Sequence, residues 1–168
     1  MRHSIFMILS TLALGGAVPA AGQPRGASCN ISAYFLNGAG LSVRARPSAN
    51  GRLLRARDNG GSPVARITGQ SGAWFRVSTI TDAETDTVLF RGDGWVPVSR
   101  LGFGVANYDP RLYARPSRQS PTLARLVPDQ SQVTLLGCAG EWARVRAGRR
   151  TGWLSRGGQC SNPLTTCV

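Results

Sequence analysis

The feature that most constrains this chain is an internal repeat, because three short blocks recur in the same order. The first two blocks recur 69 and 68 residues further along the chain, and the third recurs 58 residues further along. Each block carries a tryptophan or an Arg-Pro-Ser sequence, which is hard to obtain by chance. The blocks, each with its copy, are Val43–Ser48 with Leu112–Ser117, Gly72–Val77 with Gly140–Val145, and Gly94–Val96 with Gly152–Leu154.

The spacing of the blocks predicts two repeats, at 38–103 and 106–160. A unit of this size has a marginal core when it stands alone, so packing between the units or disulfides should support it. The shorter offset of the third block predicts an extended hairpin at 78–93 in the first repeat. Residues 23–37 are expected to form an N-terminal arm, and 161–168 a disulfide-tied C-terminal tail.

The local pattern within the repeats is that of β-strands. Short segments rich in β-branched and aromatic residues are bounded by Gly, Pro or Ser, which is typical of strands joined by turns. We therefore predict an all-β fold made of small barrels or a sandwich. The clearest segments are Val64–Ile67, Trp74–Val77 and Val133–Leu136, and a hairpin is expected between Val77–Ile80 and Thr87–Phe90.

The N-terminal segment has the pattern of a secretory signal peptide. A short charged start precedes an apolar run at Ile5–Val18, and small residues follow it. The alternative, a membrane anchor, requires a longer apolar run to cross the bilayer. We expect a signal peptide at 1–22, no transmembrane segment after its removal, and a periplasmic or extracellular protein.

The cysteine count supports export. There are four cysteines, and an even number in an oxidising compartment predicts two disulfides. Zinc binding would need closely spaced pairs such as C-x-x-C, which are missing from the sequence, so no metal site is expected. Four cysteines allow three pairings, of which we favour Cys138 with Cys160 and Cys29 with Cys167.

The charge of the chain favours anionic partners. The sequence has 20 basic residues, all of them arginine, against 8 acidic residues, and its formal net charge is +12. The arginines are scattered rather than clustered, which argues against nucleic acid as the ligand.

The residue types argue against an enzyme. The single histidine lies in the predicted signal peptide and the chain has no lysine, so the mature protein lacks the usual bases of nucleophilic catalysis. Its carboxylates lie in turn-like contexts that do not favour a raised pKa. The spacing of Asp82, Glu84 and Asp86 matches the start of a calcium loop but lacks the rest of it, and we interpret it as a solvated hairpin tip. We expect neither enzymatic activity nor a cofactor.

The repeats resemble bacterial SH3 (SH3b) domains, whose pattern reads roughly L-x-V-R-x-x-P-S, then G-x-W-x-x-V, then G-W-V. Leu41–Ser48, Gly72–Val77 and Gly94–Val96 match this pattern. The second repeat matches less fully, because Tyr113 replaces the arginine and Leu154 replaces the last valine.

The resemblance implies two tandem small SH3-like β-barrels that recognise a ligand rather than transform it. Bacterial members commonly bind peptidoglycan peptides in the cell envelope. Trp74 and Trp142 align with the groove tryptophan of the eukaryotic relatives, and Pro97 ends a segment similar to their G-Y-I-P; either tryptophan could instead belong to the core. Arginines close to the groove could hold ligand carboxylates. The candidate ligand-binding residues are Trp74, Pro97, Trp142, Arg44, Arg46 and Arg144.

Two functional hypotheses remain at this point. The first is a non-catalytic, cell-wall-binding module of the envelope that recognises peptidoglycan peptide or another anionic wall component. The second is a periplasmic protein–protein adaptor, or an inhibitor of an envelope enzyme.

Overall fold

The computed structural model describes residues 26–36, 40–57, 60–128, 132–165 and 167. The predicted signal peptide at 1–22 lies outside the described residues, and so do the first residues of the predicted N-terminal arm.

The described chain is all-β, as the sequence predicts. It has thirteen strands and two short 3-10 helices, at Val98–Arg100 and Arg156–Gly158, and no α-helix in the part that is described. The strands are β1 Ala27–Phe35, β2 Leu41–Arg44, β3 Leu53–Arg57, β4 Pro63–Ser71, β5 Trp74–Asp82, β6 Val88–Pro97, β7 Leu101–Val105, β8 Arg111–Tyr113, β9 Thr122–Arg125, β10 Gln132–Ala139, β11 Trp142–Ala147, β12 Arg150–Leu154 and β13 Gln159–Cys160.

The strands form one antiparallel sheet, whereas the sequence led us to expect two tandem small SH3-like β-barrels. Its order is β3-β2-β6-β5-β4-β1-β7-β10-β11-β12-β8-β9, and β13 pairs with β7. Within the described residues, this sheet is not closed into a barrel: its end strands are β3 and β9. The sheet stays open because β7 joins the first half of the chain to the second instead of returning to its own end strand.

The same pairing order occurs in both halves of the sheet. The path β3-β2-β6-β5-β4 in the first half is matched by β9-β8-β12-β11-β10 in the second. Arg44 pairs with Trp95 in the first half, and Tyr113 pairs with Trp153 in the second. The repeated sequence blocks therefore occupy corresponding strands.

The glycines of the two Gly-Trp blocks lie where strands approach closely. A Cβ atom on Gly94 would lie 2.2 Å from Val43 Cγ1, and one on Gly152 would lie 2.7 Å from Leu112 Cγ. Both distances are shorter than real carbon contacts, so a side chain would push β2 or β8 away from its partner. The block repeats because both halves need the same close packing.

The first half has the longer hairpin. Strands β5 and β6 have nine and ten residues, whereas β11 and β12 have six and five. The additional residues bring Ile80 opposite Phe90 and lead to a turn after Asp82.

The predicted N-terminal arm contains β1, which lies inside the sheet. β1 pairs with β4 along most of its length and with β7 at its end. Ile31, Ala33 and Phe35 of this strand are buried in the core. Its alternation of buried and exposed residues is a strand pattern that the repeat does not reveal, because β1 has no copy.

The core runs continuously through both halves. Phe75, Val77 and Val96 of the first half are fully buried, as are Ala143 and Val145 of the second. They belong to one cluster of buried side chains rather than to two separate cores. Packing across the halves therefore supplies the burial that each short repeat lacks.

Both disulfides form, but the favoured pairing is wrong. The bridges join Cys29 to Cys138 and Cys160 to Cys167. The reason is the position of β1. The backbone of Cys29 forms an isolated β-bridge with that of Gly140, which brings Cys29 close to Cys138 near the end of β10. Cys160 lies on β13 and is left to pair with the nearby tail. Two disulfides are typical of an oxidising compartment.

Among the helices of the described chain, none has the length and hydrophobicity needed to cross a membrane.

The two disulfides should differ in what their loss costs. They close segments of 109 and 7 residues. Because the loop-closure entropy grows with segment length, replacing Cys29 and Cys138 by serine should lower the free energy of unfolding by about 4–5 kcal/mol, and replacing Cys160 and Cys167 by about 2 kcal/mol. Urea denaturation of the two double variants measures the difference. Equal losses would contradict this account.

Candidate functional site

A cleft lies between the two halves of the sheet. It has a volume of about 570 Å³. One wall comes from the β4–β5 turn, the end of β6 and the 3-10 helix after it, and the other comes from β10 and β11. The lining residues are Gly72, Ala73, Trp74, Pro97, Val98, Ser99, Thr134, Leu135, Leu136 and Arg146.

Backbone pairing holds two of the predicted binding residues together in this cleft. Trp74 begins β5 and Pro97 ends β6, and the two are direct cross-strand partners. The turn before Trp74 uses Gly72 with φ +54°, a conformation that favours glycine. The amide of Val98 donates a hydrogen bond to the Ala73 carbonyl at 2.9 Å, which fixes the 3-10 helix against this turn.

Gln70 connects the two walls of the cleft. Its side-chain amide donates one hydrogen bond to the carbonyl of Gly72, at 3.0 Å, and another to the carbonyl of Leu136, at 3.2 Å. One carbonyl belongs to the first half of the chain and the other to the second. The width of the cleft is therefore set by a side chain as well as by the sheet.

Arg146 gives the cleft its charge. It lies exposed on β11, opposite Thr134 of β10, and no described carboxylate forms an ion pair with it. Its guanidinium can therefore fork onto a carboxylate of a ligand. Arg146 is not among the six candidate residues of the sequence analysis, because nothing in the local sequence indicates which strand it will face.

The other four predicted site residues do not line this cleft. Arg44 donates a hydrogen bond from Nη1 to the Gly51 carbonyl at 2.9 Å, which holds the bend after β2. Arg46 is exposed in that bend, and Arg144 is exposed on β11, opposite Trp153. Trp142 makes an edge-to-face contact with Tyr113, with ring centroids 5.4 Å apart. The two aligned tryptophans thus have different surroundings.

A buried carboxylate network lies in the second half, and sequence reasoning missed it. Asp109 has only 3% of its surface exposed. Its carboxylate accepts hydrogen bonds from Ser155 Oγ at 2.5 Å, from Arg111 Nε at 2.7 Å, and from the hydroxyl of Tyr113 at 3.1 Å. A turn-like sequence context gave no sign of burial, because the donors come from separate segments.

The network sets the protonation of Asp109. Burial by itself would raise the pKa of this carboxyl, but the hydrogen bonds from Ser155, Arg111 and Tyr113 outweigh that effect. The pKa of Asp109 therefore lies below the usual aspartate value. Burial of Tyr113 and its hydrogen bond to Asp109 raise the pKa of the Tyr113 hydroxyl. The carboxylate is fully ionised at neutral pH and is a structural anchor for the segment that carries Ser155.

Asp82 is buried, which corrects the interpretation of Asp82, Glu84 and Asp86 as a solvated hairpin tip. It is 2% exposed, accepts a hydrogen bond from the Glu84 amide at 3.0 Å, and lies 3.6 Å from Arg57 Nη1. Only Glu84 and Asp86 of the three acids are exposed. The described residues contain no group of three or more His, Cys, Asp or Glu side chains that could hold a metal ion.

Comparison with known proteins gives no family assignment. No family model matches the chain, and no curated protein matches it. The function is therefore inferred from the geometry and charge of the sites.

The Asp109 network should make the protein acid-sensitive in a defined way. The folded-state pKa of Asp109 is lowered, so its ionised carboxylate stabilises the folded protein. This contribution to the free energy of unfolding is present above the unfolded pKa of about 3.9 and is lost as the pH falls through the folded-state pKa. Asp109→Asn should lower the free energy of unfolding at pH 7 by about 2 kcal/mol and flatten its pH dependence below about pH 4.

Asp93 provides the matched control for this experiment. It also pairs with an arginine, Arg76, but its side chain is 69% exposed. Asp93→Asn should change the free energy of unfolding by less than about 0.5 kcal/mol. Urea melts between pH 2 and pH 7 test both variants. If they behave alike, Asp109 is not a structural anchor.

Proposed function

We propose that the chain is an exported, non-catalytic binding protein with two SH3-like repeats, and that its cleft binds a carboxylate-bearing peptide of the cell envelope. Peptidoglycan peptide is the leading candidate. The observation that carries the proposal is the cleft itself, where the apolar surface of Trp74 and Pro97 faces the guanidinium of Arg146. No carboxylate in the described part of the chain forms an ion pair with that guanidinium.

The size and lining of the cleft suit a short peptide. Its volume of about 570 Å³ falls within the usual range for ligand sites, about 300–1,000 Å³. A half-buried tryptophan beside a proline offers rigid contact surface that loses little entropy on binding. Thr134 and Ser99 add hydroxyl groups that can bond a peptide backbone.

Electrostatics favour an anionic ligand. The full sequence has a net charge of +12, and only Arg2 of its arginines lies in the predicted signal peptide. The resulting positive field raises the local concentration of anions and speeds their association. Arg146 then supplies the directed contact. Peptidoglycan stem peptides carry carboxylates and are abundant in the compartment that the signal peptide and the disulfides favour.

The SH3-like interpretation is supported by the repeated order of strand pairing. In both halves a glycine of a Gly-Trp block, Gly94 or Gly152, packs against the strand that precedes an Arg-Pro-Ser bend. The first half also has a 3-10 helix between β6 and β7, and the second has one between β12 and β13. The recognition role then follows from the resemblance.

A non-catalytic role agrees with the chemistry of the most buried acids. A general acid in wall hydrolysis needs a raised pKa, whereas the pKa of Asp109 is lowered by its donors. Asp82 is occupied by the turn that it caps and by Arg57. Neither carboxylate lines the cleft.

The second candidate, an adaptor or inhibitor that binds an envelope protein, is favoured by the open ends of the sheet. β3 and β9 each pair on one side only, and Leu53 and Leu123 on them are exposed. An extended segment of a partner could add to such an edge. Arg150 Nη1 already bonds the Leu123 carbonyl at 2.9 Å, so β3 is the freer of the two edges.

A pair of tryptophan variants tests the cleft. Trp74→Ala should weaken binding to purified, protein-free sacculi by about 30-fold, because truncating a central aromatic anchor costs about 2 kcal/mol. Trp142→Ala is the matched control: it loses the contact with Tyr113 but should bind like the parent once folded. Co-sedimentation measures binding, and a thermal melt confirms folding.

The outcomes separate the two candidate functions. If Trp74→Ala stays folded and binds sacculi like the parent, the cleft is not the wall-binding site. If the parent protein does not bind sacculi but retains a single envelope protein in a pull-down, the adaptor role replaces the wall-binding role.

A pair of arginine variants tests the carboxylate contact. Arg144 and Arg146 are both exposed on β11, but only Arg146 lines the cleft. Arg146→Gln should reduce the dependence of sacculus binding on NaCl concentration, since a rim charge acts mainly through screened electrostatics. Arg144→Gln should leave that dependence nearly unchanged. Equal effects would mean that only net charge matters and that Arg146 makes no directed contact.

A further inference from the structure

A second pocket of different chemistry lies where β1, β4 and the C-terminal segment meet. Its volume is about 180 Å³, and it shares no lining residue with the cleft. Polar and charged side chains dominate its lining: Asn30, Ser32, Arg66, Arg156, Gln159 and Ser161.

Two arginines from different halves of the chain line this pocket. Arg66 comes from β4, and Arg156 from the 3-10 helix before β13. Arg66 Nη2 donates a hydrogen bond to Asn30 Oδ1, and Arg156 Nη1 donates one to Glu141 Oε1. A guanidinium has five N–H donors, so most of the donors on both arginines remain for a ligand.

The charge of the pocket is only partly neutralised. Glu141 forms an ion pair with Arg156. The partner of Arg66 is a neutral amide, and among the described residues no carboxylate lies within ion-pair distance of it. The pocket therefore presents at least one uncompensated positive charge.

Both disulfides hold the walls of this pocket. Asn30 follows Cys29, whose bridge to Cys138 ties β1 to β10. Gln159 and Ser161 flank Cys160, which is bridged to Cys167. The backbone amide of Asn30 also donates a hydrogen bond to the Gly140 carbonyl at 2.7 Å. Walls fixed in this way lose little entropy when a ligand binds.

Gln159 is fixed by its own hydrogen bonds as well. Its side-chain amide donates to the Glu141 carbonyl at 2.8 Å and to the Leu154 carbonyl at 3.2 Å. The side-chain nitrogen of Gln159 is engaged in these two bonds, and its side-chain oxygen can only accept a hydrogen bond. Gln159 therefore shapes the pocket and adds no charge to it. The donors that line the pocket are the two guanidinium groups, the hydroxyls of Ser32 and Ser161, and Asn30 Nδ2, which also donates to Glu141 Oε1 at 3.4 Å.

We propose that this pocket binds a small oxyanion, the phosphate or carboxylate group of a ligand, between Arg66 and Arg156. The volume corresponds to about six water molecules, at about 30 Å³ each, which suits one charged group and not a whole peptide. Guanidinium forks match the paired oxygens of both groups. The site is independent of the cleft and of the wall-binding proposal.

Occupancy of the site should link the two halves of the molecule. The anion bridges β4 of the first half and the 3-10 helix of the second. A ligand that binds only the folded form raises its stability by mass action. The melting temperature should therefore rise with phosphate concentration at constant ionic strength.

The test is a titration of the full disulfide-bonded protein, followed by amide chemical shifts in two-dimensional NMR. Inorganic phosphate is the probe in one arm and sodium acetate in the other, with NaCl keeping the ionic strength constant. Saturable shifts are expected at the backbone amides of Asn30, Ser32 and Gln159 in at least one arm. The arm with the tighter binding identifies the oxyanion.

The variants distinguish a site from general attraction to a basic protein. Arg66→Gln should weaken binding about tenfold. Arg66→Lys keeps the charge but loses the fork, so it should weaken binding by a smaller factor. The matched control is Arg125→Gln, which removes an exposed arginine from β9 at the far end of the sheet and should leave binding unchanged.

Two outcomes would overturn the proposal. One is that neither anion gives saturable shifts at the pocket amides. The other is that Arg66→Gln and Arg125→Gln weaken binding equally. Trp74→Ala should leave this titration unchanged, so failure at this pocket and failure of the cleft are distinguishable.

Discussion

The backbone pairing of β7 is the constraint on which the rest of the structure depends. One side of this strand bonds to β10, and the other side bonds first to β1 and then to β13. Leu101 and Phe103 on it are fully buried. A strand shared by both halves fixes their relative position, so surfaces built from both halves keep a defined shape. Gly102 permits this crowding, since a Cβ there would lie 2.7 Å from Leu36 and 3.0 Å from the Val133 carbonyl.

Two sites of different chemistry depend on that junction. The cleft combines the apolar surface of Trp74 with the guanidinium of Arg146, and it suits a peptide that ends in or carries a carboxylate. The smaller pocket is polar, lies between Arg66 and Arg156, and suits a single charged group. Each site combines groups from the two halves: Trp74 with Arg146 in the cleft, and Arg66 with Arg156 in the smaller pocket. At both sites an arginine of this basic chain lies beside groups from the other half.

Local sequence features determined a large part of the fold. The alternation of apolar and polar residues and the punctuation by glycine and proline give the strands. The recurrence of the Gly-x-Trp and Gly-Trp blocks gives the repeated strand order, because Gly94 and Gly152 must each admit a neighbouring strand. Four cysteines and an apolar N-terminal run favoured two disulfides, and both form. Trp74 and Pro97, which the sequence analysis named together, are direct cross-strand partners.

Only the tertiary structure decided which elements of separate halves become neighbours. It placed β1 inside the sheet, joined Cys29 to Cys138, buried Asp109 among its three donors, and set Arg146 and not Arg144 at the cleft. The physical reason is that backbone hydrogen bonds are the same for every strand. An amphipathic pattern tells which face of a strand is buried, whereas the identity of its neighbour depends on how the whole core packs. The sequence determined the strands and their repeat. The pairing of β7 with strands of both halves determined that they form one sheet with sites between the halves.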